Sequence, residues 1–113
     1  MTRRKVVSTA NFWRNVEGLR DFHTTHPAAF ERAIGKLQDE VLPLLRQQSN
    51  VGRLYTRRQL ERPIIERIAA RLGGGVLREF VLDDCVLLYL VGKSQIAMLS
   101  IRHQRELDFD FGD

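Results

Sequence analysis

Residues 76–105, VLREFVLDDCVLLYLVGKSQIAMLSIRHQR, decide how this chain folds. The pattern predicts three short strands joined by two tight turns. Residues 76–82 alternate weakly between apolar and polar. Asp83-Asp84 is turn chemistry, as is Gly92-Lys93-Ser94. Residues 85–91 are almost wholly apolar, which suits a central strand covered on both faces. Residues 95–102 alternate, placing Ile96 and Met98 on one face and Ala97, Leu99 and Ile101 on the other. Arg78 stands on the first strand, and Arg102-His103-Gln104-Arg105 closes the last.

The chain before this sheet reads as material to pack against it. Residues 5–9 (KVVST) form a short strand candidate, followed by N-cap candidates Ser8, Thr9 and Asn11. Phe12, Trp13, Val16, Leu19 and Phe22 then recur at helical spacing, with Trp13 expected in the core or packed on the sheet and Gly18 weakening the helix. Pro27 suits the first position of a second helix over residues 28–48. Its stripe is Phe30, Ala33, Ile34, Leu37, Val41, Leu44 and Leu45, and Pro43 predicts a kink or new start near Val41 and Leu42. The two helices make a hairpin whose apolar stripe needs the sheet as cover. His23 and His26 fall at their junction, a capping position.

Ser49-Asn50-Val51-Gly52 is a turn by composition. Residues 53–72 follow, with a helix expected from about Glu61 to Leu72 on an apolar stripe of Leu60, Ile64, Ile65, Ile68 and Leu72. This segment carries Arg53, Arg57, Arg58, Arg62, Arg67 and Arg71 against Glu61 and Glu66. It reads either as a solvated face whose arginine stems cover apolar surface or as a footprint for phosphates. Gly73-Gly74-Gly75 stops the helix and is expected to act as a flexible joint. At the end, Leu107, Phe109 and Phe111 alternate with Asp108 and Asp110 in an acidic tail.

The totals bound the reading. A chain of 113 residues, 43% hydrophobic and 28% charged, is expected to form one α+β domain. The apolar runs are too short to span a membrane, and no apolar leader follows the basic first residues, so a cytoplasmic protein is expected. The single cysteine, Cys85, lies in an apolar strand and reads as a small buried hydrophobe. No metal-ligand spacing occurs, and no cofactor is expected. The net charge is +4, and three of the 18 basic residues are lysines, leaving 15 arginines. Arginine grips phosphates and carboxylates in planar, bidentate fashion, which points to a polyanionic partner.

Strand, helical hairpin, Gly-Arg turn and antiparallel strands ending in a basic histidine motif resemble, in that order, the RelE/ParE toxin superfamily. These are the toxins of bacterial type II toxin–antitoxin modules, also called plasmid stabilisation proteins. The pieces that carry the resemblance are Gly52-Arg53, Leu77-Arg78-Glu79-Phe80, Val86-Leu87-Leu88-Tyr89 and Met98-Leu99-Ser100-Ile101-Arg102-His103-Gln104-Arg105. No single piece is specific; the resemblance rests on their order and spacing. The resemblance implies a strand and helical hairpin packed on a small antiparallel sheet, with the arginine-rich helix as an insertion. About 24 residues separate the Gly-Arg turn from the Leu-Arg strand, more than the family usually has.

The superfamily contains RelE-like members, which cleave mRNA on the ribosome, and ParE-like members, which poison DNA gyrase. Cleavage would need a general base, a general acid and cations around the phosphate. Arg78 and Arg102 would be the clamps, provided both project from one sheet face, and His103 the acid or base. Arg53, Arg57, Arg58 and Arg105 would bind the nucleic acid or target. The paired lysines and the terminal tyrosine of the nuclease branch are missing, and Gln104 stands where that tyrosine would be. The plainer reading ties Arg78 to a carboxylate and makes His103 a strand cap. The resemblance therefore implies a growth-inhibiting toxin, favouring the gyrase-directed branch, with ribosome-dependent mRNA cleavage as the alternative. Its implied partners are a cognate antitoxin with an acidic or amphipathic segment and DNA gyrase or the ribosome. Larger toxin–antitoxin assemblies that bind operator DNA are implied as well. A non-toxic nucleic-acid-binding module on the same fold remains the contrasting class.

Overall fold

The computed structural model describes residues 4–22, 27–55 and 62–104. Its centre is an open, mixed sheet in the order β1-β5-β4-β3-β2. Strands β3 (Val76–Leu82), β4 (Cys85–Val91) and β5 (Gln95–His103) form the antiparallel meander expected from the sequence. Two further strands extend it. β1 (Lys5–Ser8) runs parallel to β5, and the two-residue β2 (Arg53–Leu54) runs antiparallel to β3. The expected α+β architecture with an N-terminal strand and an antiparallel meander is present, and among the described residues the sheet has five strands of mixed direction, since β1 joins it in parallel.

Helix α1 (Ala10–Phe22) starts directly after β1. Thr9 is its N-cap: its hydroxyl accepts a hydrogen bond from the Phe12 N–H at 3.1 Å, satisfying one of the donors a helix start leaves open. The second helix begins as α2 (Pro27–Lys36), passes through a π-helical turn (Leu37–Val41) and resumes as α3 (Leu42–Gln47). Pro43 lies at the start of α3, directly after the π-helical turn, so the irregularity falls beside the residue that lacks an N–H for the preceding turn. Helix α4 (Arg62–Arg71) precedes β3.

Helices cover both faces of the sheet. On the first face, Leu87, Tyr89, Ile96, Met98 and Ile101 pack with Phe12, Val16 and Leu19 of α1 and with Phe30, Leu37, Val41 and Leu45 of the second helix. On the second face, Val86, Leu88, Leu90, Ala97 and Leu99 meet Ile68, Ala69 and Leu72 around α4. Helix α4, the described helix of the arginine-rich segment, thus lies across the sheet from the helical hairpin. Strand β4 is buried along its whole length, as its unbroken apolar run predicts.

Strict alternation fails once. Ile101 joins the Ile96 and Met98 face rather than that of Ala97 and Leu99. The register slips between Leu88 and Tyr89, with Leu88 opposite Ser100 and Tyr89 opposite Met98, so Leu99 is an extra residue. A bulge of this kind shifts the phase of the strand and frees backbone groups from the ladder. Helix α1 satisfies them: Asn11 Nδ2 donates to the Leu99 carbonyl at 3.0 Å, and Asn15 Oδ1 accepts from the Ile101 N–H at 3.3 Å and from the Ser100 hydroxyl.

Two other expectations change. Trp13 is 53% exposed, resting edge-on against Phe12 instead of entering the core. Gly73-Gly74-Gly75 is no loose joint. The Gly73 N–H bonds the Ala70 carbonyl at 3.2 Å and the Gly74 N–H bonds that of Ala69 at 2.7 Å, the paired closure of a Schellman cap. All three glycines have positive φ, and a side chain on Gly75 would collide with the Val91 carbonyl.

Gly18 has no such reason. A methyl group there meets nothing within 4 Å. Gly18→Ala is therefore expected to stabilise the protein by roughly 0.5–1 kcal/mol through helix propensity alone, read from the urea midpoint.

Candidate functional site

The residues of the sequence motifs converge on one turn, residues 49–52, at the β2 side of the sheet. Ser49–Val51 is a single 3-10 turn closing the second helix, and Gly52 leads into β2. Arg78 and Tyr89 are direct partners across β3 and β4, so their side chains leave the same face. Both reach this turn. The buried Tyr89 hydroxyl accepts from the Gly52 N–H and donates to the Ser49 carbonyl, each at 2.9 Å. The Arg78 guanidinium donates to the Gly52 carbonyl at 2.7 Å and the Asn50 carbonyl at 3.3 Å. Arg4 completes the clasp, donating to the Ser49 hydroxyl at 2.9 Å and to the Gly92 carbonyl at 2.7 Å.

This geometry explains why glycine and no larger residue stands at 52. A Cβ there would lie 2.5 Å from both the Glu79 carbonyl oxygen and the Tyr89 hydroxyl. It also explains the neighbouring arginine. Arg53 lies opposite Glu79 and pairs with it at 2.7 Å on the other face of the sheet. Three of the four pieces that carried the family resemblance thus meet in one arrangement whose evident work is to fasten the turn to the sheet.

Burial pushes the Tyr89 phenol above its ordinary value of 10.0, opposed in part by the Gly52 hydrogen bond and the Arg78 charge. The unfolded chain then releases this proton at lower pH than the folded one. Tyr89 contributes stability below about pH 10 that is lost as pH rises through its folded pKa. Base titration should show wild type losing stability above about pH 10, with Tyr89→Phe, though less stable at neutral pH, showing a flatter decline.

Arg78, Arg102 and His103 are not brought together. Arg102 lies opposite Val86 and so faces the α4 side, whereas Arg78 faces the hairpin side. The condition for a shared phosphate clamp, one common face, is not met. His103 lies opposite Cys85 and is only 8% exposed. Arg78 and His103 sit on the strands flanking β4 and four positions apart along it, about 16 Å between their backbones at sheet spacing. Among the described residues, Arg78 bonds backbone carbonyls, and Glu79 pairs with Arg53; Glu106 and the acidic tail, the other carboxylates expected near Arg78, lie outside the described residues. Arg53 is exposed beyond its contact with Glu79. Arg57, Arg58 and Arg105 lie outside the described residues.

A second feature lies at the β3–β4 turn. A cleft of about 400 Å³ opens between Arg32 and Lys36 of α2 and residues Asp83, Asp84 and Cys85. Lys36 pairs with Asp83 at 2.8 Å, and this contact raises the lysine pKa. Asp83 adopts a left-handed φ of 51°, which aspartate tolerates better than most residues. Gln104 holds the turn by donating to the Asp84 and Asp83 carbonyls. Among the described residues, no group of three or more histidines, cysteines or carboxylates is placed to hold a metal ion. No described helix is long and apolar enough to cross a membrane.

Ser49, Gly52, Tyr89 and Arg4 were not singled out as site residues from sequence. The available signal was a glycine closing a polar turn with an arginine beside it and a tyrosine inside an otherwise aliphatic strand. A buried tyrosine hydroxyl needs partners, and a turn supplies them. No protein-family model matches the chain, and no curated protein does.

Proposed function

We propose that this chain is the toxin of a type II toxin–antitoxin module on a RelE/ParE-like fold, acting by binding DNA gyrase and not by cutting RNA. The order of strand, helical hairpin, Gly-Arg turn and antiparallel meander supports the fold reading. So does the convergence of the motif residues on a single turn, which gives each a physical reason to be what it is. The observation that carries the choice between activities is the placement of Arg78 and Arg102 on opposite faces of the sheet. Phosphodiester cleavage needs cations and a proton carrier around one phosphate. Arg78 is occupied by carbonyls, and His103 is buried about 16 Å from it along the sheet. A gyrase-directed inhibitor requires a binding surface and none of this convergence. The antitoxin would supply negative charge to a chain of net charge +4.

Induced expression in bacteria tests this. Wild type is expected to arrest growth and to inhibit gyrase supercoiling in extracts, with cellular messages intact. His103→Ala, if it still folds, should retain the arrest. Rapid message cleavage abolished by His103→Ala would move the assignment to the ribosome-dependent nuclease branch. Normal growth under wild-type expression would overturn the toxin reading.

A further inference from the structure

The cleft at the β3–β4 turn takes no part in fastening residues 49–52. One wall is a stripe of α2, Ala29, Arg32, Ala33 and Lys36, spaced three or four apart and therefore on one face of the helix. The other wall is Asp83, Asp84 and Cys85. The hollow survives because small side chains stand where large ones would close it. Ala33 is 7% exposed and Cys85 1%, so the two form its apolar floor, with Ala29 half-buried beside them.

The charges around this floor are balanced. Helix α2 contributes two cations and the turn two carboxylates. Lys36 and Asp83 are engaged with each other at 2.8 Å, which ties the helix to the turn. Arg32 and Asp84 are a second opposite pair, one on each wall, and both are exposed. Ala29 lies in the first turn of α2, the end where the helix dipole favours negative charge. The α2 wall therefore attracts an anion beside Ala29 and Arg32, and Asp84 attracts a cation facing it.

We propose that this cleft binds a small zwitterion, an aliphatic α-amino acid. Its carboxylate pairs with the Arg32 guanidinium, its ammonium group with the Asp84 carboxylate, and its side chain covers Ala29, Ala33 and Cys85. Guanidinium and carboxylate make a planar two-point contact, which holds such a ligand in one orientation. Small-molecule sites have volumes of about 300–1,000 Å³, and the cleft has about 400 Å³. The balance of charge narrows the class. A phosphate or polyanion would face Asp83 and Asp84, and a metal ion or polyamine would face Arg32 and Lys36, so each meets a repulsion that a zwitterion escapes. A purely apolar ligand would desolvate Arg32 and Asp84 without pairing either. The site does not depend on the toxin reading.

Free leucine is the probe, titrated into the full chain with NMR detection. Saturable binding with a Kd of about 1 mM or tighter is expected, moving the signals of Ala29, Ala33, Asp84 and Cys85. Isoamylamine, which lacks the carboxylate, and isocaproate, which lacks the ammonium group, should each bind about tenfold more weakly or worse. Arg32→Gln and Asp84→Asn should each weaken leucine by about tenfold or more, and Ala29→Leu should abolish binding by filling the cleft. Arg14→Gln, at an exposed arginine of α1, should leave the affinity unchanged. If Asp84→Asn disturbs the turn, Arg32→Gln, on the helix, decides the matter. No saturation by about 20 mM leucine, shifts centred away from the cleft, or unchanged affinity in Arg32→Gln would overturn the proposal. An equal loss in Arg14→Gln would overturn it too, since binding would then follow net charge alone. Normal growth on expression would overturn the toxin reading and leave the leucine result standing.

Discussion

Gly52→Ala is expected to destabilise the protein by about 3 kcal/mol without changing its fold. The added methyl group would press on the Glu79 carbonyl, which belongs to a paired strand, and on the hydroxyl of a fully buried tyrosine. Neither neighbour is a flexible side-chain end that can step aside. Overpacking of this kind costs about 1–3 kcal/mol, and displacement of the hydroxyl forfeits hydrogen bonds worth about 1 kcal/mol each. Urea unfolding should show a lower midpoint with an unchanged slope. A loss below about 0.5 kcal/mol, the size of an ordinary surface substitution, would mean that the turn does not bear on the sheet as described.

Tyr89→Phe should cost a similar amount, about 3 kcal/mol, by the opposite route. The phenyl ring fills the same space, so no cavity forms. What is lost is the hydroxyl that serves two backbone groups at once, the Ser49 carbonyl and the Gly52 N–H. Ser49 is almost fully buried, so water does not readily replace the missing partner. An orphaned buried polar group costs about 1–3 kcal/mol. Thermal unfolding of the variant at neutral pH checks the magnitude, and hydrogen exchange at the Gly52 amide checks the cause: that amide should lose its protection first.

The meander was legible because its signals are local. Two short turns, Asp83-Asp84 and Gly92-Lys93-Ser94, bracket an apolar run, and an apolar run between turns has few other fates. The capping threonine and Pro43 were legible for the same reason, since each acts within one helical turn. The bulge at Leu99 was not, because it depends on Asn11 and Asn15 waiting on another element to receive the freed backbone groups. β2 escaped notice because two residues carry no periodicity. Trp13 was misassigned because helical spacing fixes a stripe but not its edge, and position 13 lies at that edge beside the buried Phe12. For the candidate site, the sequence singles out Arg78 with Arg102 and His103, whereas the structure sets Arg78 beside the turn at residues 49–52. Which face a strand residue takes is set by parity within its own strand, and parity between β3 and β5 passes through the bulge. Arg78 and Arg102 therefore look equivalent in a motif and stand on opposite faces in the fold.

One consequence is that the resemblance and the geometry speak to different things. Gly52, Arg53, Arg78, Glu79 and Tyr89 are recognisable together because they secure one another in space. Such a set can recur wherever this turn must be fastened to this sheet, whatever the protein then binds.

A double-mutant cycle on Arg78→Met and Tyr89→Phe, followed by urea unfolding, tests the central claim most directly. If both side chains fasten the same turn, releasing it through one leaves less for the other to lose. The two effects should then fall short of additivity by about 1 kcal/mol or more. Additivity within about 0.3 kcal/mol would contradict the account, since it would mean that Arg78 and Tyr89 act independently and that the turn they share is not what unites them.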